Sequence, residues 1–165
     1  MLTEQEAILR MAIAIGLGAA LGFERERLAK PAGLRTYALV CLGAAMFMIG
    51  SILLGDEVRE VGGAGYDPSR IASTIVQGIG FLAAGVIFSS GGRVQGLTTA
   101  AGIWVTAAIG LLVGAGFYLV AIAGAAMTIA TLVILGWLGD AADIGGERDV
   151  EQGELVRDGE SSSEE

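Results

Sequence analysis

From Val94 to Gly139 the chain runs for 46 residues without an Asp, Glu, Lys, Arg or His. A water-soluble domain of this size does not normally contain so long an uncharged stretch. The run is too long for one membrane helix and long enough for two, with Gly114-Ala115-Gly116 as the natural break. The rest of the chain repeats the theme. Apolar segments run over about Ala7–Phe23, Thr36–Leu54, Ile71–Ser90, Leu97–Val113 and Phe117–Leu138. Each is close to the ~20 residues a helix needs to cross hydrocarbon. Lipid cannot satisfy open backbone groups, and none of the segments shows the alternation of a barrel strand. The expected fold is therefore all-α, a polytopic transmembrane bundle of about five spans.

Composition agrees: 53% of the 165 residues are hydrophobic and the mean hydropathy is +0.67. The net charge of −8 lies in one place. Residues 140–165 carry ten acids against Arg148 and Arg157, and the body is neutral. Residues 1–139 are thus read as the transmembrane domain. Residues 140–165 read as an acidic, disordered tail that buries too little apolar surface to offset ordering entropy. The single cysteine, Cys41, and the absence of histidine exclude an intrachain disulfide and disfavour a zinc or copper site. The start, MLTEQE, is acidic, so the first apolar segment is expected to stay as an anchor and not be cleaved as a signal. Within it Arg10 is expected to snorkel toward the interface.

Orientation follows from the loops. Arg25, Arg27, Lys30 and Arg35 crowd the first connection, which places it in the cytoplasm. With five spans the N-terminus then lies outside and the C-terminus inside, in the cell membrane.

The 27 glycines supply smooth surfaces. Gly18 and Gly22, and again Gly110 and Gly114, have the GxxxG spacing; Gly78, Gly80 and Gly85 smooth the third segment. These serve packing within the chain or a seam between copies. Gly78-Ile-Gly80-Phe-Leu-Ala83 matches a dinucleotide pattern but lies mid-span, without the strand and tight turn such a site needs. No apparatus for catalysis is visible, and no nucleic-acid partner is expected.

Two charged groups stand out. Glu24-Arg25-Glu26-Arg27 follows the first span. An acid at the hydrocarbon boundary needs a partner, and Arg27 and Arg35 are the nearest candidates for Glu24. The group is either an interfacial anchor or a cation- or proton-sensing mouth. The second is Tyr66-Asp67-Pro68-Ser69-Arg70. Asp67 suits an N-cap and Pro68 a first helical position. Alternatively Asp67 meets Mg²⁺ on the outer face, with Asp56, Glu57 and Glu60 nearby in sequence. Gln77, Thr98, Thr99 and Thr106 either bond local carbonyls or line a polar path.

Three blocks carry a resemblance: GLGAALGFERERLAKPAGLRTYALVCLGAAMFM, YDPSRIASTIVQGIGFLAAGVIF and VQGLTTAAGIWVTAAIGLLVGAG. In this order, over about residues 15–116, the chain resembles the membrane domain of the MgtC/SapB family. The resemblance implies a cytoplasmic-membrane protein linked to magnesium limitation. It also implies action on the F-type ATP synthase in place of Mg²⁺ import, with Mg²⁺ as the ion concerned. The acidic end stands where MgtC proper has an ACT-like domain, which suggests a SapB-like short member. By motif position the candidate functional residues are Glu24, Arg25, Glu26, Arg35, Asp67 and Arg70. Three functions stay open: a regulator acting through helix contacts, a small ion transporter or channel, and a scaffold whose charges only anchor and cap.

An odd number of spans makes a direct prediction. If all five segments cross, reporter fusions to the two ends of the chain should report opposite sides of the membrane, the amino end outside; the same side for both would leave an even number of spans and overturn the five-span topology.

Overall fold

The structure is a computed structural model; it describes residues 2–63, 67, 69–90 and 93–143. It contains five helices, α1 (Glu4–Arg27), α2 (Leu34–Glu60), α3 (Ser69–Ala84), α4 (Leu97–Ala115) and α5 (Tyr118–Asp143). A two-stranded hairpin, β1 (Phe88–Ser90) and β2 (Arg93–Gln95), lies between α3 and α4. The chain divides into two compact units, Met1–Ile129 and Ala130–Glu165. Among the described residues the second is the C-terminal part of α5.

The helix ends follow local chemistry. The Thr3 hydroxyl accepts from the Glu6 amide at 3.3 Å, Glu4 and Glu6 sit in the first turn of α1, and Arg25 and Arg27 sit in its last. Acids at the start and bases at the end both favour the helix dipole. The expected break in the long uncharged run falls at Gly116. There φ is +90°, a left-handed cap whose amide bonds back into α4.

Four helices are long and apolar enough to cross a membrane: Glu4–Arg27, Leu34–Glu60, Leu97–Ala115 and the Tyr118–Leu138 stretch of α5. The segment read as a span over Ile71–Ser90 is different. Its helix, α3, has 16 residues and ends at Ala84, and Phe88–Ser90 form an antiparallel strand instead, with Phe88 opposite Gln95. Sixteen residues reach about 24 Å, short of the ~30 Å of hydrocarbon. Ser89 and Ser90 lead into Gly91-Gly92, a hairpin-turn sequence that outweighs a simple apolar count. At the other end, α5 continues to Asp143, four residues into the stretch read as a tail. Residues 144–165 lie outside the described residues.

Helix α2 is the centre of the first unit, with α1 and α4 against it. A Cβ added at Gly18 would lie 2.6 Å from the Tyr37 carbonyl oxygen and 2.8 Å from the Ala38 Cα. At Gly22 it would lie 2.6 Å from the Leu34 Cα. Further along α2, a Cβ at Gly114 would meet the Ala45 carbonyl at 2.7 Å, and one at Gly110 the Ala44 Cβ at 2.9 Å. Both GxxxG pairs are thus used within the chain, where they let backbones touch. The residues sealed in this core include Leu21, Tyr37, Cys41, Ile103, Ile109 and Val113. The third helix contrasts. Gly78 and Gly80 have nothing within 4 Å of an added Cβ, Gly85 lies just beyond the helix end, and of the helix residues whose burial is described only Ile79 and Ala83 are buried. The dinucleotide-like pattern lies on this helix, not on a strand-to-helix turn.

Many large apolar side chains face outward, among them Leu39, Phe47, Phe81, Leu119 and Met127. That is the surface of a membrane protein, with lipid as solvent.

This packing separates the glycines by effect. Gly22→Ala and Gly110→Ala should each lower stability by roughly 1–3 kcal/mol through overpacking. Gly78→Ala and Gly80→Ala should leave it unchanged or slightly raised. Thermal unfolding in detergent, followed by circular dichroism, checks the contrast.

Candidate functional site

Helix α1 carries a charged group near each end, and each reaches a neighbouring helix. Near its start, Arg10 is nine-tenths buried. Its Nη1 donates to the Gly114 carbonyl at 2.6 Å, and its Nη2 pairs with the Glu6 carboxylate one turn earlier. The guanidinium lies against Gly116, where a Cβ would sit 3.0 Å from Nη2, and it also interacts with Tyr118. Arg10 therefore does not snorkel. It turns inward because α4 ends there with unsatisfied carbonyls and a partial negative charge. Its Nε has no hydrogen-bond partner among the described residues. The sequence signal was a lone cation in an apolar segment together with a glycine-ended helix carrying no cation of its own.

At the other end of α1, Arg25 is buried and grips the neighbouring carboxylate. Its Nη2 donates to one Glu24 oxygen at 2.7 Å and its Nε to the other. Glu24 thus pairs with Arg25, not with Arg27 or Arg35. Arg27 is exposed, its guanidinium 5.7 Å from the centre of the Phe23 ring. Arg35 is exposed and makes no ion pair with the described residues. Glu26 has a separate task. Its carboxylate accepts from the Leu34 amide at 2.7 Å and so caps α2 from outside the helix. Gly33 makes room, since a Cβ there would overlap the carboxylate.

Beside this group lies Tyr37, which the sequence reading did not single out. It is fully buried, and its hydroxyl donates to the Thr99 carbonyl at 3.3 Å while packing against Gly102. An added Cβ at Gly102 would collide with that hydroxyl. One aromatic residue thereby ties α2 to α4. The TYALV stretch carried no charge or motif to draw attention to it.

The second group is looser. The Asp67 carbonyl accepts from the Arg70 amide at 3.2 Å, and the Arg70 carbonyl accepts from the hydroxyls of Ser73 and Thr74. Both Asp67 and Arg70 are exposed, and Pro68 lies outside the described residues. Asp56 faces Arg59 at 3.6 Å. Among the described residues no three of His, Cys, Asp or Glu gather to hold a metal, so Asp56, Glu57, Glu60 and Asp67 do not form a cage. Of the threonines, Thr106 bonds the Gly102 carbonyl at 2.7 Å and Thr99 is buried, while Gln77 and Thr98 are exposed.

The model of the family described as "MgtC family" matches residues 11–141. The chain belongs to the MgtC family. Over 129 residues it is 45% identical to an Escherichia coli K12 protein named "Putative magnesium transporter YhiD", covering 78% of this chain and 60% of that one. It is 44% identical over 128 residues to Protein MgtC of Salmonella typhimurium, covering 78% of this chain and 49% of the relative. The protein slr0014 of Synechocystis is 43% identical over 130 residues, with 79% and 52% covered. The chain thus spans about half to three-fifths of the length of these relatives. No solved structure matches. The matched region takes in Glu24, Arg25, Glu26 and Tyr37, and Arg10 stands one residue before it.

The buried pair makes a sharp prediction. Glu24→Gln leaves the Arg25 guanidinium buried without its carboxylate and should cost roughly 3 kcal/mol or more. Glu24→Gln combined with Arg25→Met should recover much of that loss. Unfolding in detergent of the two single variants and the double one measures the coupling.

Proposed function

We propose that this chain is a non-enzymatic, multi-pass protein of the cell membrane, with its N-terminus outside. It acts in magnesium and membrane-energy homeostasis through helix contacts with a membrane partner, the F-type ATP synthase being the first to test. Membership of the MgtC family and the name of the Escherichia coli relative support the link to magnesium.

One observation favours a regulator over an ion conduit. Both ends of the α1–α2–α4 core hold a buried arginine, Arg10 at one and Arg25 at the other. Each guanidinium takes up the carboxylate beside it, Glu6 or Glu24, so that acid is spent on an ion pair and not left free to draw in a divalent cation. Between these ends the helices touch through glycine, and the Thr106 hydroxyl is turned onto its own helix. The polar atoms a dehydrated Mg²⁺ would require are already engaged there.

The alternative, a small transporter, needs a path elsewhere or an assembly of copies. Reconstitution separates the two. Vesicles holding the full chain and an internal Mg²⁺ indicator should show no flux above empty vesicles, and the chain should co-isolate from membranes with the synthase. Flux that Asp67→Asn abolishes would overturn the proposal in favour of transport.

A further inference from the structure

A cleft of about 600 Å³ opens between α2 and α3, with α4 as its floor. Its walls include Leu39, Gly43 and Phe47 of α2 and Thr74, Gly78 and Leu82 of α3. Nothing lies within 4 Å of a Cβ built on Gly43 or Gly78, so the cleft is open where the two helices would otherwise meet. Apart from Thr74, whose hydroxyl is bonded to the Arg70 carbonyl, the walls are apolar.

Two features define what fits. The first is length. The α2 wall runs nine residues, Leu39 to Phe47, and the α3 wall twelve, Ile71 to Leu82, a rise of about 12–16 Å of helix. That is the depth of one leaflet, roughly half of the ~30 Å hydrocarbon core. A spanning partner helix would need a groove twice as long. The second is charge. Arg35, Leu39, Gly43 and Phe47 follow one another at four-residue steps and so share a face of α2. The exposed Arg35 therefore stands one turn beyond the apolar wall. Around it the α1–α2 connection has Arg25, Arg27, Lys30 and Arg35 against Glu24 and Glu26. At the far end of the cleft Arg70 is also exposed. There, however, Arg59 and Arg70 are outnumbered by four acids, Asp56, Glu57, Glu60 and Asp67. An anionic headgroup is favoured at the Arg35 end and repelled at the other.

We infer that the cleft holds one acyl chain of an anionic phospholipid whose phosphate sits on the Arg35 guanidinium. The chain fills the space left by Gly43 and Gly78, and the headgroup lies in the leaflet that the basic connection faces. This site goes beyond the regulatory reading and is independent of it.

Photo-cross-linking tests the site in the full chain. The protein is reconstituted in phosphatidylcholine bilayers doped with phosphatidylglycerol carrying a diazirine midway along one acyl chain. Labelling is expected on the α2 and α3 walls, and unlabelled phosphatidylglycerol should compete better than phosphatidylcholine. Arg35→Gln should reduce that preference about fivefold, the effect of one basic residue at a membrane surface. Gly78→Leu fills open space, so it should abolish labelling of the walls while the protein keeps its thermal stability. Arg70→Gln should behave as wild type. Labels spread evenly round the helices, equal competition by the two lipids, or loss with Arg70→Gln in place of Arg35→Gln would overturn the proposal. So would copies joined through a cysteine placed by Gly78→Cys with no lipid displaced, which would put a second copy in the cleft.

Discussion

Lipid tails are as apolar as leucine, so burying leucine supplies little drive for one membrane helix to find another. What holds these helices is contact of backbone with backbone. Helix α2 receives it from two helices. Gly18 and Gly22 bring α1 against Tyr37, Ala38 and Leu34, and Gly110 and Gly114 bring α4 against Cys41, Ala44 and Ala45. With separations this small, dispersion contacts are dense and no methyl group can be added without displacement. Tyr37 then fixes how the two interfaces are related. It packs under Gly22 with its Cβ, beside Gly102 with its ring, and bonds the Thr99 carbonyl with its hydroxyl. Its polar end is satisfied, which a buried phenol in a dry core requires.

The charges extend the same construction to the helix ends. A helix in lipid exposes unsatisfied amides at its start and carbonyls at its finish, and water is scarce near the hydrocarbon boundary. Helix α1 supplies what its neighbours lack. Glu26 serves the start of α2, whose own cap residue is Gly33, and Arg10 serves the finish of α4 at Gly114. An acid thus meets a helix N-terminus and a base meets a C-terminus, the two arrangements that the macrodipole favours. Each arginine then needs a carboxylate of its own, which Glu6 and Glu24 provide locally. The charges within α1 are therefore mostly engaged in holding the bundle together.

The bundle itself was legible because lipid imposes few solutions. The uncharged run, the break at Gly116 and the two GxxxG pairs all found their place. Hydropathy counts apolar residues and ignores turn chemistry, so it carried the third segment past Ala84 into a hairpin. The site was half legible. Glu24, Arg25 and Glu26 are clustered in sequence and remain clustered in space, yet their partners were misjudged because Arg25 turns back onto its own neighbour. Arg10 and Tyr37 escaped because their partners lie 104 and 62 residues away, and nothing in a local pattern announces such a pairing. Asp67 and Pro68 read as a cap-and-start signal, and α3 begins at Ser69.

The uneven use of glycine bears on what kind of machine this is. Along α1, α2 and α4 the small residues at the interfaces leave no slack, and such a core resists sliding. A conduit that alternates between states needs interfaces with two arrangements of similar energy. The α1–α2 and α2–α4 contacts offer poor ground for that, since a one-turn shift would drive side chains into carbonyl oxygens now facing glycine. Helix α3 is the opposite case, short, followed by a hairpin and buried, among its described residues, at Ile79 and Ala83 alone. Movement at α3 therefore costs little beside movement among α1, α2 and α4, and the interface of α3 with α2 contains the cleft. A rigid α1–α2–α4 frame with a loosely seated α3 beside it suits a protein that responds to its surroundings better than one that forces an ion through its centre.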